Sequence, residues 1–542
     1  MFKLRSKTLT NAVLLATCIL LPSVLSASAE NVTEQIPKVG VDSANPREGT
    51  PPNILASGFS LKLLAQGSDP LENPSGSITK LGYLNDFPPQ TVEATKTEPD
   101  QNTYLVLDYN PGGPTPGYDY GRHFLFQGHE NGNDLAYVTR INLDVTDPLH
   151  RITLLTPVGS NGKTGFNSID GSTWNPFTKT LLFTQENGSS GAVIQITPNW
   201  PPQVITLDGI LGKGGYEGIH LDNRGNIVIV EDAGGTSVNV DPQDPQSPKA
   251  ARQPNSFVYR FVPNDRTDLT KGGKLQALQV QINNQPVTFH ADDPVGDTFS
   301  DVQLQLHTLG TSWPVKWVTI HDTAVDGFAS FSANSAAKAA GATPFKRPEN
   351  VAFLPGSNFK TFFFAPTGDT NSNSGNQPEL AARGAWGSIF RVDLDETRDQ
   401  GQISIFVLGT AEQSSFDNLT FANGTTLLAA EDRGDTLHKQ LNRLDSVWSY
   451  NVSGNNISPR RFLALGRDEA AAIDAGYLDA STPGYQNDGD NEPTGLIVSQ
   501  GSASIENLLG TKPKFGSARW FITQQHGYNQ IYEIQKQKTQ EH

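Results

Sequence analysis

Residues 180–186 read TLLFTQE, residues 226–232 read NIVIVED and residues 426–432 read TLLAAED. Each is an apolar run of strand length, bounded by a polar turn, that ends in acid; such runs predict buried β-strands. The turns before them are Asn175-Pro176-Phe177-Thr178, Asn223-Arg224-Gly225 and Asn423-Gly424. Runs of outer-strand type follow: AVIQIT at 192–197, SFVYRFV at 256–262 and SVWSYNV at 446–452. A strand unit repeated along a chain is the mark of a propeller or solenoid. Acids at equivalent strand ends of such a fold converge on one central face, and convergent carboxylates are what hard cations need.

Outward from these stretches the pattern predicts an all-β chain, a six-bladed β-propeller with loop insertions, seven blades being the alternative count. Units fall at 103–143, 169–197, 217–262, 349–394, 417–452 and 492–534. Residues 1–29 read as a signal peptide, 30–100 as an N-terminal extension with the first strands, and 101–542 as the propeller. An irregular insertion is expected at 263–345, with a short helix within 330–340 (SFSANSAAKAA). The last strand, 530–534, is expected to close the ring with N-terminal sequence, because closure protects sheet edges.

Composition agrees. A propeller can reach 542 residues as one unit, and 51 Gly and 36 Pro with only 18% charged residues suit turn-rich β structure. The formal charge of −16 argues against a phosphate-backbone binder, so no nucleic acid partner is expected. Lys3, Arg5 and Lys7, the apolar stretch 12–21 and Ala27-Ser28-Ala29 have the layout of a cleaved secretory signal. Its removal takes away three cations, making the net charge −19, and the single cysteine, Cys18. A cysteine-free mature chain suits a secreted or periplasmic location. No later stretch has the length of a membrane span, and the chain reads as a monomer.

The predicted inner strands carry Glu130, Glu186, Glu217, Glu349, Asp417 with Asn418, Glu431 with Asp432, and Glu492. An oxygen-only ligand set favours Ca²⁺, Mg²⁺, Mn²⁺ or ferric iron. Taken singly, any of these acids can instead cap a turn or pair with an arginine. Arg347-Pro348-Glu349 is the sharpest local feature: Pro348 stiffens the strand entrance, and a guanidinium fork suits a phosphate. The competing reading of Arg347 is a structural ion pair between blades. His129 and His526, each at the end of an apolar run, are candidates for ligation or proton transfer, or buried histidines satisfying backbone groups. Residues 487–492 (NDGDNE) have the composition of a calcium loop without its spacing.

In order and content these segments resemble the PhoX-type alkaline phosphatases, secreted six-bladed propellers that use calcium and iron. The likeness runs from about Tyr104 to Ile534. Gly128-His129-Glu130 resembles the family's N-H-E, and Thr173-Trp174 followed by Thr184-Gln185-Glu186 resembles its G-T-W leading to T-C-E-E. Tyr216-Glu217 stands at its His-Glu, and Arg347-Pro348-Glu349 is its R-P-E intact. Asp417-Asn418, Glu431-Asp432, Glu492–Gly495 and Gln525-His526 are similar to its later D-N, acidic pair, E-x-x-G and Q-H. The resemblance implies phosphomonoester hydrolysis, with small phosphorylated molecules as partners. It implies Arg347 as the catalytic phosphate holder, Glu186, Glu217 and Glu349 as ligands of iron or calcium, and Asp417 and Asn418 as calcium ligands; Glu431, Asp432 and Glu492 complete the predicted metal-binding set by their strand-end positions. Gln185 stands where the family has cysteine and Asn187 where it has a second glutamate, which argues against iron and leaves calcium. The alternatives are a calcium-stabilised binding protein without catalysis and a calcium-dependent lactonase-like hydrolase.

Overall fold

The computed structural model describes residues 52–82, 97–454, 457–467, 492–508, 510 and 515–537. The signal-like segment 1–29 and most of the acidic turn 487–492 lie outside the described residues. The described strands form four sheets of four or five strands, one ten-stranded sheet and a two-stranded ribbon, all antiparallel in the ladders that join consecutive strands. No helix among the described residues is long and apolar enough to cross a membrane.

Six strands organise the molecule: β1 (Glu98–Val106), β2 (Ile169–Asn175), β3 (Tyr216–Leu221), β4 (Pro348–Phe353), β5 (Phe416–Asn423) and β6 (Glu492–Ser499). Each begins a run of antiparallel strands. β1, β2, β5 and β6 each lie at the edge of their own sheet, and β3 and β4 lie at the two ends of the ten-stranded one. Each packs against the next, and β6 packs back against β1, so the six surround a common axis. This is an all-β, propeller-like architecture.

Apolar alternation fills the space between neighbouring sheets. Val230, Val258 and Leu278 meet Phe345, Phe364 and Phe390 where the two halves of the ten-stranded sheet face each other; the rings of Phe364 and Phe390 stack with centroids 5.3 Å apart. The ring closes as the sequence suggests. Phe59–Ala65 pairs with Gln530–Lys536 in the sheet that begins with β6, so the two ends of the chain share one ladder.

The segment 263–345 contains more regular structure than its sequence suggests. Gly273–Ile282 is the fourth strand of the run that β3 begins, and Trp313–Asp322 pairs with it on one side and with Gln400–Leu408 on the other. This second pairing bridges what would otherwise be two sheets. Polar residues such as Lys316 and Thr319 interrupt the apolar pattern of the bridging strand, which has one solvated face. The helix expected within 330–340 spans Ala333–Ala339, capped by Ser332, whose side chain accepts from the Ser335 N–H.

Candidate metal and anion site at the channel mouth

The first turn of each of the six strands holds the same irregularity. The ladder shifts register between Pro99 and Asn102, Ile169 and Ser172, Tyr216 and Ile219, Pro348 and Asn350, Phe416 and Leu419, and Thr494 and Ile497. A bulge adds a residue on one strand and re-aims its side chain. The first residue of the bulge is Asp100, Asp170, Glu217, Glu349 and Asp417 in β1 to β5, and Gly495 in β6. Five carboxylates thus occupy one repeated position around the axis.

A second set comes from the neighbouring strands. The residue just before β2 to β5 offers its carbonyl to the residue just past the end of the next strand: Ser168 to Glu186 N–H (2.9 Å), Gly215 to Asp232 (2.7 Å), Arg347 to Thr367 (2.8 Å) and Ser415 to Asp432 (2.8 Å). Ser168, Arg347 and Ser415 have positive φ, 44°, 57° and 52°, a conformation that costs a non-glycine residue about 1–2 kcal/mol. The repeat therefore brings Glu186, Asp232 and Asp432 to the same mouth. It puts one arginine, Arg347, where its neighbours in the ring have serine or glycine.

Arg347 is held by carboxylates. Its Nε donates to Asp232 Oδ2 at 2.7 Å, Nη2 lies 3.6 Å from Glu349 Oε1, and Nη1 reaches Thr370 Oγ1 at 3.4 Å. Burial alone would lower the guanidinium's pKa; the charges of Asp232 and Glu349 outweigh it and raise the value. Across the mouth, His526 Nε2 lies 3.2 Å from Glu492 Oε2 and Nδ1 lies 3.6 Å from Glu98 Oε1. Asn418 donates to Asp417 Oδ1 at 3.0 Å.

Too much negative charge is gathered here for the acids to ionise together. Burial, and then the neighbouring carboxylates, push Asp100, Glu130, Glu186, Glu217 and Glu349 well above the usual carboxylate range. Burial raises Asp170 to about 6 and Asp417 to about 7. Oxygens of Glu130, Asp170 and Glu186 lie within 4.8 Å of one another, close enough to share a metal ion. One oxygen each of Asp100, Asp170, Asp232 and Glu349 is buried without a hydrogen-bond partner among the described residues. Buried unsatisfied carboxylate oxygens are costly, and an oxygen-seeking cation answers both problems at once. The donor set, oxygen throughout, suits a hard cation.

Of the residues singled out in the sequence, Glu186, Glu217, Glu349, Asp417, Asn418, Asp432, Glu492 and Arg347 come together here. Glu431 does not. Strand alternation turns it away from Asp432 and into its own sheet, where it is fully buried against Arg433 at 2.8 Å and accepts from the Ser414 and Ser446 N–H groups, each at 3.0 Å. Glu231, the equivalent residue beside Asp232, likewise accepts from the Phe257 N–H and from Tyr259 Oη at 2.8 Å. Glu431 is thus a blade-bracing acid, not a mouth ligand. Glu431→Gln should leave metal content unchanged but destabilise the fold by about 3 kcal/mol, because Arg433 keeps its buried charge. Urea unfolding paired with metal analysis checks both halves; metal loss at unchanged stability would contradict the placement.

His129 is a core histidine. It is fully buried between Thr97 and Thr139 hydroxyls at 3.1 and 3.0 Å, and burial lowers its pKa to about 3. Gln185 turns its amide to the Asn167 carbonyl at 2.8 Å. Asp100 and Asp170 are site residues that sequence reading missed, and Asp232, which ends the run 226–232, was not carried into the predicted ligand set. Beyond the bulges the six strands line a cavity of about 120 Å³, where Asn102, Ser172, His220, Asn350 and Asn418 are interleaved with apolar residues such as Leu105, Leu419 and Ile497.

The fold and mouth define an all-β propeller-like protein with an acidic, metal-type site. Residues 237–474 match the family described as Alkaline phosphatase PhoX, and the likeness to PhoX-type alkaline phosphatases read from the sequence holds. Among solved structures, Pseudomonas fluorescens PhoX in complex with vanadate, a transition state analogue, superposes with a TM-score of 0.53 at 13% identity. The match covers 93% of this chain and 98% of that one. Weaker matches include a hypothetical selenium-binding protein from Sulfolobus tokodaii (TM-score 0.33, 10% identity, 82% and 94% covered) and TolB from Acinetobacter baumannii (0.28, 9%, 81% and 64%). No curated protein matches.

Proposed function

We propose that the chain is a metal-dependent phosphomonoesterase acting outside the cytoplasm, built as six blades of which two are joined by the bridging strand Trp313–Asp322. The observation that carries the reading is Arg347, a partly open guanidinium set among carboxylates at the channel mouth. A ring of carboxylates by itself repels a phosphate. Bound divalent cations, with calcium the best fit to these ligands, would reverse that charge and polarise the phosphoryl oxygens. Asp100, Glu130, Asp170, Glu186, Glu217, Glu349, Asp417, Asn418, Asp432 and Glu492 would hold them. Asp232 and Glu349 orient Arg347, whose side chain keeps 21% of its surface open and can bind phosphoryl oxygens through its fork. His526, between Glu492 and Glu98, is placed to hold a proton at Nε2 for a leaving alkoxide. Location outside the cytoplasm rests on the signal-like residues 1–29.

Metal analysis of the purified protein, together with phenyl phosphate hydrolysis before and after chelation, tests the reading. Stoichiometric calcium with chelator-sensitive hydrolysis is expected; no hydrolysis with calcium or iron present would sink it. A second reading, a calcium-stabilised binding protein without catalysis, is favoured by one observation. Three guanidinium nitrogens of Arg347 already face Asp232, Glu349 and Thr370. That reading predicts bound calcium without turnover.

A further inference from the structure

We propose that Lys249 and Arg252 form a second anion subsite beside the mouth, selecting phosphomonoesters whose alcohol part carries another anionic group. The inference rests on the phosphatase reading of the mouth. A cavity of about 200 Å³ reaches Thr370, a neighbour of Arg347, with Lys249, Arg252, Asp369, Gly434 and Thr436 also among its lining residues. At about 30 Å³ per water, it has room for a phosphate or carboxylate group. Thr370 is the shared wall, since its hydroxyl faces Arg347 Nη1 at 3.4 Å. The other wall adjoins Asp432, which accepts from the Gly434 N–H at 2.8 Å.

The charge balance of the cavity is what points to an anion. Arg433 is neutralised by Glu431, and Asp369 by Lys346 Nζ at 2.8 Å. Lys249 and Arg252 have no side-chain partner among the described residues. Arg252 is nevertheless built in. It lies on a hairpin in which Ala251–Arg252 pairs with Ser237–Val238, and its own N–H donates to Asp369 Oδ1 at 3.2 Å. Asp369 is fully buried, so the hairpin is tied through backbone to a fixed ion pair. A half-buried arginine on a fixed hairpin loses little entropy on binding, and its fork pairs with phosphate or carboxylate alike. A substrate phosphoryl group on Arg347 would carry its second charge toward this cavity.

The test uses phosphonates, which cannot be hydrolysed, on the metal-loaded full chain. Calorimetry should show propane-1,3-diphosphonate binding about ten-fold or more tighter than propylphosphonate. In the double variant Lys249→Gln/Arg252→Gln that advantage should vanish while propylphosphonate affinity and thermal stability stay unchanged. Equal affinities in the parent, no binding of either phosphonate, or an advantage that survives the double substitution would each overturn the subsite. Phenyl phosphate hydrolysis, measured separately, reports on the phosphatase reading alone. A parent that binds the diphosphonate preferentially but turns nothing over keeps the subsite and loses the enzyme.

Discussion

Replacing Arg347 with lysine should lower phenyl phosphate hydrolysis ten-fold or more, with the loss in kcat rather than in KM alone. Ten-fold corresponds to about 1.4 kcal/mol, the scale of one charge-assisted hydrogen bond to the transition state. Lysine keeps the charge but not the planar fork. It also has one nitrogen to offer where Arg347 engages Asp232 at 2.7 Å and still lies 3.6 Å from Glu349. Arg347→Ala should cost more, on the order of 10²–10³ in kcat, as removing an oriented donor from a desolvated site does. The structural reading makes the opposite forecast. If Arg347 only bridges Asp232 and Glu349, lysine should leave turnover intact and lower the melting temperature. Rates and melting curves measured on the same variant separate the two.

The strands and the ring closure were legible because their signals are local: apolar runs, polar turns and a repeat period. Asp432 and Glu186 were legible because they terminate such runs. The adjacent acid pair at 431–432 was not resolvable, since either residue can face the mouth and only the register against Phe416 decides which. Asp100 and Asp170 were missed for a related reason. Each begins a bulge, which breaks the two-residue alternation from which facing is read. The tetrad TYLV at 103–106 looks like the start of β1, yet the strand begins at Glu98 among polar residues that line the axis. A search for an acid followed by a small or polar residue just upstream of each inner apolar run would have found Asp170-Gly171 and Glu217-Gly218 together. The left-handed turn that Arg347 shares with Ser168 and Ser415 leaves no common motif, because serine fills the equivalent position in those two repeats. The bridging strand Trp313–Asp322 escaped for a different reason: its partner, Gln400–Leu408, lies far away in sequence.

Stripping metal from the mouth should produce the largest change in stability, and its pH dependence should have a definite sign. In the metal-free chain Asp170 titrates at about 6 and Asp417 at about 7, both raised first by burial, against roughly 3.9 for an unfolded aspartate. The folded form then binds more protons than the unfolded form across that window. The stability these groups contribute is fully present below about pH 4 and is lost as pH rises through 6 to 7. Asp100, Glu130, Glu186, Glu217 and Glu349 shift in the same direction and add to the slope. Chelated protein should therefore melt lower at about pH 8 than at about pH 5. Calcium reverses the trend, because its ligands must be deprotonated and the proton it displaces is held less tightly as pH rises. At free calcium a hundred-fold above Kd, the gain is about 2.7 kcal/mol, and it should grow with pH over the same window. Melting temperatures with chelator and with calcium, taken at both pH values, give the four corners of this cycle. A chelated form that grows more stable toward alkaline pH would mean that the mouth carboxylates are neutralised by the protein's own permanent cation, Arg347, in place of a metal.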